Sequence, residues 1–359
     1  MTTAGSTIYD VIIIGGGQTA LAAAYYLRRT QFNYLILDSE TQPGGAWQHC
    51  WASLSLFSPA QWSSLPGVLM PGGQHYYPTR EEFLQYLRAY ETRYQFPVVR
   101  PVKVTAVHKQ AGIFVLTTTA GTYSSRAVIS ATGIYTNPYT PPIPGMDVFQ
   151  GALIHASQYH EPAPFTGLRV AIVGEGNSGA QILAELSQVA DTVWITRKPP
   201  EFLPDDIDGK DLFDAATQQY EAQKQGKDYQ PLSIGKIVMV PPVKEARERG
   251  VYENALPPFD HFYEAGLGWT SGWKEPVDAV IFCTGYKPAL SHLAPLNIIQ
   301  DEGKIHTQGT RATAIDGLWL MGYGSWTGFA SATIIGVGRT ARQTITELTD
   351  FLESSTTVG

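Results

Sequence analysis

Two glycine-rich turns are the parts of this sequence whose residue types and spacing could do chemistry. The first follows an apolar run and has the pattern G-x-G-x-x-A at Gly15, Gly17 and Ala20. A residue without Cβ lets the backbone approach a pyrophosphate, which then lies against the free N–H groups that begin a helix. Asp38 ends the next apolar run, 23 residues after Gly15, where a carboxylate can accept hydrogen bonds from a ribose diol. This spacing predicts a dinucleotide site.

The second turn has the complete pattern G-x-G-x-x-G at Gly174, Gly176 and Gly179. The apolar run that follows it ends on Arg197 and Lys198, and Arg197 again stands 23 residues after the first glycine. A guanidinium suits a 2′-phosphate that a carboxylate would repel, so this turn predicts an NADPH site. NADH should also be accepted, because Arg197 and Lys198 are flexible and nothing nearby repels a free 2′-hydroxyl. The alternative is a solvated basic strand end without a ligand.

In the first unit the run after the glycine turn ends on the acid Asp38, and in the second it ends on Arg197. This order resembles that of the flavin-containing monooxygenase family, in which the FAD site precedes the NADPH site along the chain. The family's fingerprint F-x-G-x-x-x-H-x-x-x-[FY] is matched at Phe149, Gly151, His155 and Tyr159, just before the second turn. The segment 44–47 resembles the family's G-G-x-W. The resemblance covers nearly the whole chain, whose length is similar to that of the small bacterial NAD(P)H-dependent branch, related to Baeyer-Villiger and N-hydroxylating class B flavoprotein monooxygenases.

The resemblance implies two sets of cofactor-binding residues, on the glycine turns, on the strand ends that follow them and on two Thr-Gly steps. The predicted FAD residues are Gly15, Gly17, Gln18, Thr19, Ala20, Asp38, Ser39, Gly45, Ala46, Trp47, Val104, Thr132, Gly133 and Trp326. The predicted NADP residues are Gly174, Gly176, Asn177, Ser178, Gly179, Arg197, Lys198, Thr284 and Gly285.

The resemblance also implies an activity. NADPH would reduce FAD by hydride transfer, and O2 would add to give a flavin C4a-hydroperoxide that oxygenates sulfides, amines or, by Baeyer-Villiger reaction, ketones. The expected partners are a small-molecule substrate, O2 and a second copy of the chain in a homodimer. Two other functions stay open: a flavoprotein reductase of a quinone or metal ion, and a flavin-binding accessory protein of metal resistance without turnover. The absence of a CxxC pair argues against a disulfide reductase.

Flavin chemistry requires no side-chain nucleophile, so the catalytic candidates are few: Phe57, Ser58 and His155. The family usually carries an Asn beside the flavin where this sequence has Phe57, two residues before Pro59. Phe57 cannot donate that hydrogen bond, so the peroxide is less stabilised, or else Phe57 is core packing. His155 either takes part in catalysis or fixes the loop between the domains by hydrogen bonds.

The elements that position these residues follow from periodicity. Segments 10–38 and 169–197 each predict a β-α-β unit, and Thr79 with Glu82 predicts a capping box for a helix running to about Arg93. Residues 98–119 alternate like a hairpin, strands are expected at 126–133, 278–285 and 318–322, and a C-terminal helix is expected over about 331–353. A Pro-rich segment at 138–144 predicts a linker.

These elements predict an α/β fold with two Rossmann-like dinucleotide-binding domains. The FAD domain is discontinuous, over 1–165 and 278–359, and the NAD(P)H domain is inserted over 166–277 with a helical insertion at about 205–250. A length of 359 residues is compatible with two domains.

The bulk composition excludes several classes of protein. A net charge of -7 without a basic run argues against nucleic acid, and two cysteines cannot build a disulfide framework. The eight histidines show no spacing typical of metal ligands, so no metal is expected. We expect neither a signal peptide nor a membrane partner, since no apolar run is long enough, and therefore a cytoplasmic location.

Overall fold

The computed structural model describes residues 7–205, 218, 236–328 and 330–354. The strands are β1 Ile8–Ile14, β2 Tyr34–Leu37, β3 Val98–Val99, β4 Val104–Gln110, β5 Ile113–Thr118, β6 Gly121–Ser130, β7 Ala152–His155, β8 Arg169–Val173, β9 Asp191–Ile195, β10 His261–Tyr263, β11 Gly266–Gly268, β12 Lys274–Pro276, β13 Ala279–Phe282, β14 Thr307–Gln308, β15 Arg311–Ala312 and β16 Leu318–Leu320. The α-helices are α1 Gln18–Leu27, α2 Arg80–Tyr94, α3 Asn177–Leu186, α4 Pro241–Glu248 and α5 Ile334–Ser354. The predicted α/β class with two Rossmann-like units is confirmed.

The first sheet has the strand order β14-β15-β16-β6-β1-β2-β3, and the antiparallel hairpin β4–β5 attaches to β6. Strands β16, β6, β1, β2 and β3 run parallel. Helices α1 and α5 cover one face, where Leu21, Val337 and Leu348 are fully buried together with Ile13 of β1. The carboxyl ends of β1, β2 and β6 therefore meet at one edge, which is where open α/β sheets bind ligands.

The second sheet is parallel, with the order β7-β13-β8-β9, and α3 returns the chain from β8 to β9. The predicted domain boundaries, after residues 165 and 277, would place β7 and β13 in the first domain. Both strands instead pair within the second sheet, so by sheet membership the inserted unit spans at least 152–282. Its start lies close to the predicted Pro-rich linker at 138–144, which was the better boundary signal.

The predicted capping box is present at the start of α2. The Glu82 N–H donates to Thr79 Oγ1 at 3.3 Å, and the Thr79 N–H donates to Glu82 Oε2 at 2.8 Å. The helix ends at Tyr94, one residue beyond the predicted end. The C-terminal helix is also confirmed, and its buried face packs against α1 as an amphipathic helix on a sheet should.

The predicted hairpin over 98–119 is partly wrong. Its two arms are β4 and β5, whereas β3 pairs in parallel with β2. Pro101 has no N–H to donate to a strand ladder, so the chain leaves the sheet between β3 and β4. The small antiparallel sheet β10–β12 was not predicted, because strands of three residues are too short to show an alternation.

The predicted helical insertion at about 205–250 contains α4, which buries Val243 and Ala246 in the core of the second unit. Its residues 206–217 and 219–235 lie outside the described residues. Across the described parts of the chain, no helix combines the length and the apolar character that crossing a membrane requires.

Candidate functional site

The first glycine turn joins β1 to α1 and leaves the start of the helix open. Gly15 has a φ of +104°, and a Cβ there would lie 2.7 Å from the Ala131 carbonyl oxygen, so a side chain cannot be accommodated. Gly17 is the N-cap of α1, and no side chain caps the helix or places an acid in its first turn. The first N–H groups of α1 are therefore available to an anion such as a pyrophosphate.

This turn opens into a cavity of about 800 Å³ at the carboxyl ends of β1, β2 and β6. The volume lies in the range of about 300 to 1,000 Å³ that is typical of cofactor sites. Of the predicted FAD residues, Ala20 is fully buried inside α1 and Trp326 stacks on Tyr323, and neither lines the cavity. The predicted residues that do line it are Gly15, Gly17, Gln18, Thr19, Asp38, Ser39, Gly45, Ala46, Trp47, Val104, Thr132 and Gly133.

Asp38 lies at the end of β2 and is only 2% exposed. Its Oδ2 accepts a hydrogen bond from Arg100 Nε at 2.6 Å, and the same guanidinium donates to both carboxylate oxygens of Glu91 at 2.6 and 2.8 Å. Burial alone would lower the pKa of Arg100, but its hydrogen bonds to Glu91 and Asp38 outweigh this and raise the pKa. Two carboxylates thus share one permanent cation. The sequence did not reveal Arg100 or Glu91, which lie far along the chain from Asp38.

The G-G-x-W segment passes directly over the first glycine turn. A Cβ on Gly45 would lie 2.7 Å from the Gly17 Cα, so only glycines allow the two backbones to come this close. Trp47 Nε1 donates to Gln18 Oε1 at 2.9 Å, and the Trp47 ring packs edge-on against Phe83 at 4.8 Å between centroids. Trp47 and Gln18 are therefore held together at the cavity wall.

A buried network of hydrogen bonds fixes the Thr132-Gly133 step. The Tyr323 hydroxyl shares hydrogen bonds with Ser130 Oγ at 2.5 Å and with Thr132 Oγ1 at 2.7 Å. Ser130 Oγ also contacts His292 Nε2 at 2.9 Å, and Thr132 Oγ1 donates to the Ala289 carbonyl. Burial lowers the pKa of His292 to about 4, so this imidazole is neutral at pH 7. The network ties β6 to β16 below the cavity.

Four further cavity residues had no signal in the sequence: Glu40, His49, Cys50 and Tyr135. His49 Nε2 and Glu40 Oε1 are 3.0 Å apart, and the His49 ring stacks on Tyr135 with centroids 6.2 Å apart. Cys50 also lines the cavity, and burial raises the pKa of its thiol to about 11. The thiol is therefore protonated at neutral pH and is a poor nucleophile.

Phe57 and Ser58 do not line the cavity. Phe57 is 41% exposed, so the interpretation of this residue as core packing is wrong. Ser58 is buried, and its carbonyl oxygen accepts a hydrogen bond from Ser63 Oγ at 2.9 Å. Leu54 packs in the core of the second unit and Leu56 in that of the first, so Phe57 follows the point where the chain passes between the two cores.

The second glycine turn repeats the geometry of the first. Gly174 has a φ of +131°, and a Cβ there would collide with the Cys283 carbonyl at the end of β13. Gly176 is the N-cap of α3, again with no side-chain cap and with no atom within 4 Å of an added Cβ. The Asn177 amide accepts from the Val238 N–H at 2.8 Å and donates to the Lys236 carbonyl at 3.3 Å, which ties the turn to the segment after residue 235.

Arg197 follows β9 and reaches back to this turn. Its side chain is 83% exposed and forms an ion pair with Glu175, with 3.1 Å between Nη2 and Oε1. The basic strand end was predicted from the sequence, but this carboxylate was not, because Glu175 stands inside the glycine pattern itself. The second turn therefore carries one acid and two cations, Arg197 and Lys198, beside the expected ribose position.

The fingerprint residues connect the second sheet to its surroundings. His155 Nε2 donates to the Gly285 carbonyl at 3.0 Å, while Nδ1 accepts from the Ser157 N–H at 3.0 Å. Burial lowers the pKa of His155, consistent with a neutral ring whose two nitrogens are both engaged. Tyr159 donates to Glu185 of α3 at 2.8 Å. These contacts support the positioning role of His155 over a catalytic one.

Comparison with protein families gives a match to the pyridine nucleotide-disulphide oxidoreductase model over residues 12–224. A flavin-containing monooxygenase from Stenotrophomonas maltophilia has a similar structure, with a TM-score of 0.87 and 48% identity over 96% of this chain and 98% of that one.

Two curated proteins are similar along most of their length. An oxidoreductase named CzcO-like from Geobacillus kaustophilus is 30% identical, over 95% of this chain and 98% of its own. The indole-3-pyruvate monooxygenase YUCCA8 of Oryza sativa is 25% identical, over 92% of this chain and 88% of its own.

Proposed function

Because the chain belongs to the pyridine nucleotide-disulphide oxidoreductase family and, within it, to the flavin monooxygenases, we propose that it oxygenates a small molecule using O2, FAD and NAD(P)H. FAD is assigned to the first glycine turn and NADPH, with NADH as an accepted substitute, to the second. The observation that carries this assignment is the pair of uncapped glycine turns, the first of which opens into the cavity of about 800 Å³.

The residues at the first turn fit FAD. Gly15 and Gly17 leave the start of α1 open to a pyrophosphate. Asp38 lies at the strand end, where a carboxylate would accept hydrogen bonds from the ribose of a dinucleotide. Trp47, Thr132 and the other cavity residues would enclose the rest of the molecule. When bound, FAD supplies the redox chemistry, taking a hydride from the nicotinamide and delivering its electrons to O2.

The protein's own contribution is orientation and a dry cavity. The Arg100 ion pairs hold Asp38 in place, and the buried Tyr323 hydroxyl holds the Thr132-Gly133 step. Burial lowers the pKa of His292 to about 4 and raises the pKa of Cys50 to about 11, so neither adds a charge to the cavity at pH 7. A preorganised cavity wall suits oxygenation of soft nucleophiles such as sulfides and amines, and of ketones by Baeyer-Villiger reaction.

One further assignment rests on the topology of the two sheets. We propose that the FAD unit is discontinuous and encloses the NAD(P)H unit, which is supported by the separate sheets and by the return of the chain to β14–β16. A homodimer and a cytoplasmic location stay predictions from the sequence.

The first alternative is a reductase that passes electrons to another acceptor. A thiol-disulfide reaction needs a thiolate. Burial raises the pKa of both cysteine thiols, to about 11 for Cys50 and about 12 for Cys283, which disfavours the disulfide type. Two alternatives remain: a quinone or metal-ion reductase, and a flavin-binding accessory protein without turnover. The following experiment distinguishes both of them from a monooxygenase.

The test is to add NADPH to the purified, FAD-loaded protein in ¹⁸O2, with and without an aryl methyl sulfide. We expect bleaching of the flavin absorbance and a sulfoxide that carries ¹⁸O. Bleaching with electrons recovered in a quinone or metal ion, and with no labelled product, would support a reductase. A flavin that NADPH and NADH leave oxidised would support the accessory protein.

A further inference from the structure

Glu175 stands between Gly174 and Gly176, and its carboxylate holds Arg197. Oε1 lies 3.1 Å from Nη2 and 3.2 Å from Nε of Arg197, and Oε2 accepts from the Arg197 N–H at 3.4 Å. The Glu175 side chain is 16% exposed, whereas that of Arg197 is 83% exposed. The carboxylate is therefore the fixed member of the pair, and the guanidinium is the member that solvent surrounds.

The first glycine turn shows that the residue between the glycines neighbours the residue at the strand end. A Cβ on Gly16 would collide with the carboxylate of Asp38, so the two positions are in contact there as well. In the first turn the acid is Asp38 at the strand end, and the residue between Gly15 and Gly17 is itself a glycine, Gly16. In the second turn the acid is Glu175, between Gly174 and Gly176, and the strand end carries the basic residue Arg197. Both turns thus bring one carboxylate to the ribose position.

A carboxylate at this position acts differently on the two dinucleotides. A 2′-hydroxyl can donate a hydrogen bond to it, as to the strand-end acid of an NAD site. A 2′-phosphate brings about two negative charges and must also take Arg197 away from Glu175 before the guanidinium can bind it. The loss of the Arg197–Glu175 ion pair and the repulsion between Glu175 and the phosphate therefore partly offset the favourable contact of Arg197 with the phosphate.

We propose that Glu175 sets the dinucleotide selectivity of the second site: by holding Arg197 and accepting from a ribose hydroxyl, it makes the site accept NADH beside NADPH. This inference rests on the proposed function of the second turn as the NAD(P)H site. Removing the charge of Glu175 should then increase the preference for the 2′-phosphate.

The test is calorimetric titration of the FAD-loaded Glu175→Gln variant with NADP+, NAD+ and 2′,5′-ADP, at low and at high salt. We expect NADP+ and 2′,5′-ADP to bind roughly two- to fivefold more tightly than in the wild type, the size of an exposed ion-pair effect. NAD+ should bind equally or more weakly, and the gain for NADP+ should shrink in high salt. Steady-state KM values for NADPH and NADH should follow the same order.

Asp191→Asn is the matched control, because it removes one exposed carboxylate from the opposite end of β9, where Asp191 pairs with Arg169. It should leave all three affinities at the wild-type value. Unchanged or weaker binding of NADP+ and 2′,5′-ADP by Glu175→Gln would overturn the inference, and weaker binding would show that Glu175 orients Arg197 for the phosphate. Failure of the wild type to bind either dinucleotide would instead overturn the proposed function of the second turn.

Discussion

Gly17 can take a methyl group without disturbing the fold, so Gly17→Ala is a direct perturbation of the first glycine turn. Its φ of -80° is open to any residue, and the nearest atom to an added Cβ is the Gly45 Cα at 4.0 Å. Gly17 also lines the cavity of about 800 Å³. The methyl group would therefore occupy space that a pyrophosphate needs to reach the first N–H groups of α1.

The expected effects on stability and on binding differ in size. Alanine is a poorer N-cap than glycine, but it also reduces the entropy of the unfolded chain, so the free energy of unfolding should change by less than about 1 kcal/mol. Displacing the pyrophosphate from one charge-assisted hydrogen bond costs about 1.5 to 3 kcal/mol, which raises the Kd for FAD about 10- to 150-fold. The measurements are fluorescence titration of the apoprotein with FAD and its thermal unfolding by circular dichroism.

Gly176→Ala makes the same change at the second turn, where no atom lies within 4 Å of an added Cβ. It should leave FAD binding unchanged and weaken NADP+ binding to a similar degree, so each variant is the control for the other. Gly15→Val and Gly17→Val should both lose FAD, but Gly15→Val also strains the backbone at a φ of +104° and should lower the stability of the fold. A folded Gly17→Ala protein that binds FAD with the wild-type Kd would refute the assignment of the first turn.

Three other predictions follow from single side chains. Arg197→Ala should raise the KM for NADPH with little change in the KM for NADH. The increase should be only roughly three- to tenfold, because the guanidinium is exposed and already paired with Glu175. Equal changes in the two KM values would contradict this prediction. Burial lowers the pKa of His292 from 6.5 to about 4, so between these pH values the unfolded chain binds a proton that the native protein does not. The free energy of unfolding should fall as the pH drops through this window, by at most about 3 kcal/mol. In urea unfolding, His292→Gln should make the free energy of unfolding depend less on pH over this range. An unchanged pH dependence would show that His292 does not cause it. Phe57→Asn should leave the hydrogen peroxide released per NADPH consumed close to the wild-type value, because Phe57 does not line the cavity. A drop of about two- to twelvefold, which corresponds to a new amide donor worth about 0.5 to 1.5 kcal/mol, would show that residue 57 does reach the reacting oxygen.

The elements that the sequence predicted are those with a local signal. Both β-α-β units follow from an apolar run, a glycine turn and a helical segment that are contiguous. The capping box joins Thr79 and Glu82, which are only three positions apart. The glycine turns place most of the predicted FAD residues on one cavity for the same reason. Ala20 and Trp326 are the exceptions, because Ala20 is buried inside α1 and Trp326 stacks on Tyr323.

Contacts between distant residues had no such signal. Arg100 reaches Asp38 across 62 positions, and Tyr323 reaches Thr132 across 191. Glu175 is nearer to Arg197, at 22 positions, but a charged residue within a glycine pattern has no preferred partner until the strand order is known. Only the pairing of β8 with β9 brings the glycine turn beside the strand end.

The segment 51–60 shows why the region between the two units could not be predicted from periodicity. Trp51 and Leu54 pack in the core of the second unit, whereas Leu56 and Ala60 pack in that of the first. The apolar residues here pass from one core to the other and do not alternate between a core and solvent, so neither a helical nor a strand period arises. Phe57 lies within this segment, between Leu56 and Ser58, and is left 41% exposed. Phe57 therefore adds little to the stability of either core, because much of its ring keeps its contact with solvent.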